Sequence, residues 1–254
     1  MAKSQIGAQL YTLREHLKTP ADVAKTLRRV REMGYEAVQV SGLGPIDPTE
    51  LAKILDGEGL TAAATHVSLD MMRDTQKCVD YHKTIKCDLP AIGGFHPQEH
   101  TVENYVAFAK DFTAIGDKLA AHGLRIGYHN HSRELAKLPN GKSILDTLIE
   151  NTGSSVWYEI DVYWITHGGG DPAAWINKVK GNIPAVHFKD MSVTTEQVQK
   201  MCEVGSGNLN WPRIIEACKA AGTKWYLVER DNGDLDPFES LKISLDQMKA
   251  MGLN

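Results

Sequence analysis

The sequence predicts an α/β chain folded as one (β/α)8 TIM barrel over residues 1–254, with its working site at the C-terminal mouth of the strands. Three observations lead there. Short apolar segments of strand length alternate eight times with segments of helical period, the order that builds a parallel sheet with right-handed crossovers. The length, 254 residues, matches the ~250 of a typical barrel of this kind. After the first strand the chain reads Tyr11-Thr12-Leu13-Arg14, where an open doubly wound sheet would carry a Gly-rich phosphate turn.

Each element has a local reason. The first strand covers residues 5–11. Pro20 opens a helix in which Val23, Leu27, Val30 and Met33 recur at helical spacing, and Gly34 stops it. A short strand at 37–40 precedes a helix begun by Asp47-Pro48 and carried by Leu51, Ile54 and Leu55. The third strand, 61–65, ends at His66; a helix follows over 74–85, and the fourth strand, 89–93, ends near His96. The longest helix starts at the cap residue Thr101, runs to the region of His122 and is closed by Gly123. The fifth strand runs into His129-Asn130-His131, residues 143–149 are helical, the sixth strand ends at Asp161, and Asp171-Pro172 caps the next helix. The seventh strand ends at His187. An excursion over 191–210 then leads to a helix at 211–220, an eighth strand ending at Glu229 and a last helix at 237–251. Two glycine-rich stretches, 164–170 and 205–211, fall at the same mouth, where they either flex over a substrate or simply turn the chain.

Bulk properties exclude several classes. The net charge of -4 is spread with mixed signs, so no basic patch points to nucleic acid. Cys78, Cys87, Cys202 and Cys218 have no spacing typical of a metal site or a disulfide framework, which suits free thiols in a reducing compartment. Met1 to Gln5 carries no apolar signal region, and no apolar run approaches the ~18 residues of a membrane span. The expectation is a soluble, cytoplasmic protein without a membrane partner; association into a homo-oligomer stays open.

Four strands of the C-terminal half each deliver a metal-capable side chain where they should end: His129, Asp161, His187 and Glu229. Alternation along a barrel strand puts Gly127, His129 and His131 on one face, and likewise Glu159 with Asp161, Ala185 with His187, and Leu227 with Glu229. Singly, a strand-end His is more often a hydrogen-bonded wall residue and a strand-end Asp a helix cap. Together they form a mixed nitrogen–oxygen set suited to one divalent ion, Mn²⁺ first, with Zn²⁺, Co²⁺, Fe²⁺ or Mg²⁺ as alternatives. His129 is assigned to the metal; His131, two residues further out, to substrate contact or to support of the ligands. Glu134 is a further carboxylate within reach of that loop. Lys189 shares the parity of His187 and either stabilises negative charge on a substrate oxygen or pairs with Asp190 or Asp231. His66, Gln9 and Tyr11 would line the opposite wall, and Trp164 and Tyr163 offer flat faces to a sugar ring.

The chain resembles the xylose-isomerase-like TIM barrels, which include sugar phosphate isomerases/epimerases, inosose dehydratases and hydroxypyruvate isomerases. The likeness rests on the opening IGAQLYTLR, YHNH at 128–131, EIDVYWITHGGGDP at 159–172, VHFKDM at 186–191, the GSGNLNW loop and the C-terminal VERDNGDLDPFESLKIS. It implies one divalent metal on His129, Asp161, His187 and Glu229, and a small sugar or polyol as substrate. Many members use glutamates from strands five and eight to move a proton beside a carbonyl. Here His129 stands at the strand-five position, so the resemblance leaves proton transfer to Glu229, His131 or Glu134. An isomerase or epimerase is the first expectation, a lyase or dehydratase, or cleavage of an oxidised (keto) sugar, on the same site the second, and a non-catalytic sugar-binding barrel the third.

Overall fold

Seven parallel strands pair in sequence order: β1 (Ile6–Gln9), β2 (Ala37–Val40), β3 (Thr61–His66), β4 (Pro90–Ile92), β5 (Ile126–His129), β6 (Val156–Asp161) and β7 (Ala185–Phe188). The chain then makes an antiparallel hairpin, β8 (Asp190–Val193) with β9 (Gln199–Cys202), before β10 (Trp225–Val228) closes the barrel between β7 and β1. The structure is a computed structural model describing residues 5–254, so the expectation for the segment before Gln5 lies outside the described residues.

Helices α1 (Pro20–Glu32), α2 (Pro48–Glu58), α3 (Leu69–Arg73), α4 (Thr75–Thr84) and α5 (Val102–Ala120) cover the first half of the barrel. The second half carries α6 (Ile144–Asn151), α7 (Val162–His167), α8 (Pro172–Lys178), α9 (Trp211–Ala221) and α10 (Pro237–Ala250). Several begin with the same device, a capping oxygen followed by proline. Thr19 forms a reciprocal capping box with Asp22 ahead of Pro20, and Asp47, Asp171 and Asp236 each accept a first-turn amide beside a proline. Proline has no N–H to leave unpaired there, and its φ is already helical.

The barrel interior is stacked in layers by strand alternation. At the bottom, Ala37, Ala63, Ala91, Ala185 and Leu227 surround Trp157, whose indole N–H donates to the Arg125 carbonyl at 2.8 Å. Gly127 makes room for that ring: a Cβ there would overlap it. One step up each strand the inward residues turn polar, with Gln9, Gln39, Glu159 and His187 all fully buried. A further step brings Asp161, Lys189 and Glu229 to the mouth. Trp157, Glu159 and Asp161 thus climb one strand as floor, middle and rim.

The structure departs from the sequence expectation in four places. The first strand stops at Gln9, whose side chain accepts the Tyr11 amide at 3.0 Å and starts a 3-10 turn over Leu10–His16. The helix expected over 74–85 is present as α4, started by the Asp74 carboxylate accepting the Lys77 amide at 3.1 Å, but a short helix that was not expected, α3, precedes it, with the Ser68 hydroxyl accepting the Met71 amide at 3.1 Å. The stretch after Asp161 is helical through His167 rather than loop, since Asp161 accepts the Trp164 amide at 3.0 Å. The excursion after β7 is the β8–β9 hairpin and a loop tied to Asp190. That buried carboxylate accepts the amides of Gly205 (2.9 Å), Gly207 (3.1 Å) and Leu209 (3.3 Å) and the Trp211 indole N–H (2.7 Å). Gly207 lies so close that any Cβ would overlap the carboxylate. The loop is pinned, not a free flap. Cys78, Cys87, Cys202 and Cys218 are free thiols.

Candidate active site

The four strand ends meet. One ligand atom each from His129, Asp161, His187 and Glu229 lies within 4.8 Å of the others, and all four residues are buried. In-register pairing of Asp161 with His187 across β6 and β7 brings these side chains level. The group could hold a cation, and its hydrogen bonding fits one. Both ring nitrogens of His129 and Oδ2 of Asp161 are buried without a hydrogen-bond partner. Unpaired buried polar atoms of this kind are costly unless something else satisfies them. Asp161 divides its work: Oδ1 caps α7, while Oδ2 faces His129 Nε2 at 3.4 Å and His187 Nδ1 at 3.7 Å.

The layer beneath fixes the orientation of His187. Gln9 Nε2 donates to Gln39 Oε1 (2.6 Å), and Gln39 Nε2 donates to Glu159 Oε1 (2.7 Å). His187 Nε2 lies 2.6 Å from Gln39 Oε1 and 3.2 Å from Glu159 Oε2, both acceptors, so Nε2 must carry the proton. Nδ1 is then the nitrogen turned to the ligand group, 3.0 Å from Glu229 Oε2. His66 Nε2 also lies 2.5 Å from Glu159 Oε2.

Charge follows from this geometry. Burial would raise the carboxyls of Glu159, Asp161 and Glu229, but the surrounding cations override it. His187 with His66 holds Glu159 well below the usual range, and Lys189 does the same for Asp161 and, with His187, for Glu229. Burial opposes a charge on His187, yet Glu159 and Glu229 push it well above the ordinary histidine range. A cation on Nδ1 would take the place of a proton there. Burial, with His187 alongside, lowers His129 to about 4; burial and His129 lower His131 to about 3. Both stay neutral near pH 7, His129 as a competent ligand.

Above the group opens a cavity of about 480 Å³, bordered by Tyr11, His66, His129, His131, Lys189 and Glu229. That lies toward the small end of the ~300–1,000 Å³ of ligand pockets and suits one small polyol. Three expected wall residues lie elsewhere. Gln9 is fully buried beneath the mouth, its amide spent on Gln39 and the Tyr11 amide, because inward parity places it one layer down. Glu134 is also fully buried: it accepts the Tyr128 hydroxyl (3.0 Å) and the His131 amide (2.8 Å), so it shapes the turn that carries His131. Trp164 backs the cavity, with its ring 5.4 Å from that of His131 and Lys189 Nζ 5.3 Å from its centroid. Lys189 does pair with Asp231 (2.9 Å), though buried and not at the surface, whereas Asp190 is turned into its loop.

Sequence reasoning passed over Glu159, Gln39 and Asp231 as site residues. A signal existed for the first two: a carboxylate and an amide at inward positions of short, otherwise apolar strands need partners inside the barrel.

Residues 27–251 match the family model described as xylose isomerase-like TIM barrel. The chain belongs to that family. A curated relative, the rhizopine catabolism protein MocC of Rhizobium meliloti, is 21% identical over 263 residues, covering 89% of this chain and 80% of that protein. A crystal structure of a sugar phosphate isomerase/epimerase from Parabacteroides distasonis superposes with a TM-score of 0.82 at 23% identity, over 98% of this chain and 95% of that one. The probable 3-DHS dehydratase AsbF from Bacillus anthracis, involved in petrobactin synthesis, gives 0.73 at 14% identity over 96% and 98%. At such identities the two structural likenesses carry the fold alone. Among the described residues of this xylose isomerase-like barrel, no helix is long and apolar enough to cross a membrane.

Proposed function

We propose that this barrel is a divalent-metal-dependent enzyme that moves a proton beside a carbonyl of a small sugar, keto-sugar or cyclitol, as an isomerase or epimerase does. The reading rests on one observation: His129, Asp161, His187 and Glu229 converge, with unpaired donor atoms, under a cavity of small-polyol size. Mn²⁺ is our first choice of ion and Zn²⁺, Co²⁺, Fe²⁺ or Mg²⁺ the alternatives, since a set of two imidazoles and two carboxylates accommodates each of them. Such an ion polarises a carbonyl and acidifies the adjacent C–H. The setting is the cytoplasm and the partner a small molecule, with neither nucleic acid nor membrane involved.

The side chains divide the remaining work. Lys189 borders the cavity and stabilises negative charge developing on a substrate oxygen. Glu229 and His131 are the proton-transfer groups. Glu229 is engaged by Lys189 at 2.7 Å and His187 at 3.0 Å, whereas His131 Nδ1 has no hydrogen-bond partner. His131 borders the cavity outside these ion pairs, as a neutral imidazole that burial makes a weak base, so it would relay a proton and not hold it. His131→Phe keeps a ring against Trp164 and removes the nitrogen. It should retain metal and slow solvent-deuterium exchange into a ketose or keto-cyclitol by about 10²-fold or more. Exchange at the wild-type rate would shift the base to Glu229, to be tested with Glu229→Gln. Wild-type protein that binds no divalent ion and exchanges no substrate proton would end the enzymatic reading and leave a sugar-binding barrel.

A lyase or dehydratase is the second reading, and His129 favours it. With an imidazole at the fifth strand end, Glu229 and Asp231 are the carboxylates bordering the cavity, and both are bound to Lys189. Epimerisation needs a proton taken from one face and returned to the other, whereas elimination needs one base and one acid. Loss of water or another leaving group together with deuterium exchange would decide for elimination.

Glu159 supplies a test of the metal reading that does not depend on substrate. Donors from Gln39, His66 and His187 all aim at its carboxylate. Glu159→Gln presents one oxygen and one NH₂ to three donors, so at least one N–H meets another and the orientation of His187 is no longer fixed. Metal affinity should fall about 10–100-fold with the fold retained, the usual cost of losing an outer partner of a ligand. Unchanged affinity by competition with a chromogenic chelator would remove Glu159 from that role.

A further inference from the structure

Lys189 occupies an unusual place. It follows His187 on the inward row above β7, is 1% exposed, and sends its ammonium into the ligand group itself. Nζ lies 3.0 Å from Asp161 Oδ2, 2.7 Å from Glu229 Oε2 and 2.9 Å from Asp231 Oδ2. These contacts differ in kind. The bond to Asp231 is aligned as a hydrogen bond, while Asp161 Oδ2 is ion-paired by distance yet receives no aligned hydrogen bond. The ammonium thus reaches three carboxylates at once, with an aligned bond to Asp231 and its shortest contact to Glu229. Asp161 and Glu229 belong to the four-residue metal group; Asp231 does not.

From this geometry we propose that Lys189 is a built-in cation which shares the oxygens of Asp161 and Glu229 with the divalent ion, and that Asp231 is the carboxylate onto which the ammonium withdraws when the ion binds. The inference rests on the proposed metal site and adds a property to it. Two cations cannot hold the same pair of oxygens at contact distance without strong mutual repulsion. Expelling a lysine from a closed, buried site would also be costly without a partner to receive it. Asp231 lowers that cost: its side chain is 24% exposed, at the cavity edge, and already accepts a hydrogen bond from the ammonium. In the metal-free protein the ammonium offsets the repulsion among Asp161, Glu229 and Asp231. In the loaded protein it stands on the substrate side, where a developing oxyanion would meet it. Asp231 is then a positioning residue, acting through Lys189.

The test measures metal binding and stability, not turnover. Lys189→Gln removes the charge but leaves N–H donors for the carboxylates; Lys189→Met removes both. Metal-stripped proteins would be titrated with Mn²⁺ by calorimetry and melted with and without the ion. Lys189→Gln should bind Mn²⁺ on the order of tenfold more tightly than wild type and melt lower when metal-free, so that metal raises its Tm by more. Asp231→Asn should weaken binding by about tenfold, because the ammonium loses its alternative partner. In the Lys189→Gln background that loss should shrink to within about threefold, a coupling that simple removal of a distant negative charge would not give. Equal or weaker Mn²⁺ affinity in Lys189→Gln, or an Asp231→Asn effect of the same size in both backgrounds, overturns the proposal. Wild-type protein that binds no divalent ion would overturn the metal site and this inference together. Wild-type binding with no gain in Lys189→Gln overturns this inference alone. If Lys189→Met fails to fold without metal, Lys189→Gln carries the test.

Discussion

Asp161→Ala should lower divalent-metal affinity on the order of 10³-fold, well beyond the ~10–100-fold that follows loss of an outer partner. The residue contributes a buried, ionised oxygen with no hydrogen bond to the centre of the group, flanked by His129, His187 and Lys189. Removing it leaves those three facing an apolar gap. The same substitution also removes the cap on α7, a separate loss of about 1 kcal/mol. Asp161→Asn separates the two, because its amide oxygen can still accept the Trp164 amide while the charge is gone. Both variants should fail to retain Mn²⁺ through gel filtration, and only the alanine should melt early for want of the cap. Full metal content in either one would rule Asp161 out as a ligand.

Asp190→Ala should destabilise the fold by about 3 kcal/mol, the scale of several buried donors left unpaired. The carboxylate receives three backbone amides of the loop before α9 and the buried indole of Trp211, whose ring packs 4.9 Å from that of Phe188 on β7. Water can reach the part-buried glycine amides more readily than the buried indole, so part of the cost persists after the loop relaxes. Denaturant melts should show the loss, and hydrogen exchange should show faster exchange at Gly205, Gly207 and Leu209. An unaltered unfolding midpoint would mean the loop is held by other contacts.

Both predictions concern residues that the sequence marks, though in different degrees. Asp161, His129, His187 and Glu229 were legible because a strand has a strict two-residue alternation and a barrel gathers its strand ends. Counting inward positions from an apolar strand therefore identifies a rim residue before any coordinates exist. Asp190, one position after Lys189 and of opposite parity, looked like one candidate partner for that lysine. Its true neighbours lie at residues 205–211, across a hairpin whose path no local pattern specifies. The short helix α3 was equally hidden, since five residues are too few to show a helical period, whereas the α4 start at Asp74 was legible.

The sequence alone determined the barrel, the order of its eight barrel strands and the strand-end positions of His129, Asp161, His187 and Glu229. Each depends on periodicity or on a cap beside a proline, and both act within a few residues along the chain. Tertiary structure decided how those side chains are used. Gln9 lies beneath the cavity and not in its wall, Glu134 holds the His131 turn, and Glu159 with Gln39 orients His187. Lys189 is committed to three carboxylates drawn from two other strands. Those facts depend on the register between strands and on the depth of each layer. A buried hydrogen bond or ion pair is settled by which partner lies within about 3 Å, and separation along the chain carries no information about that distance.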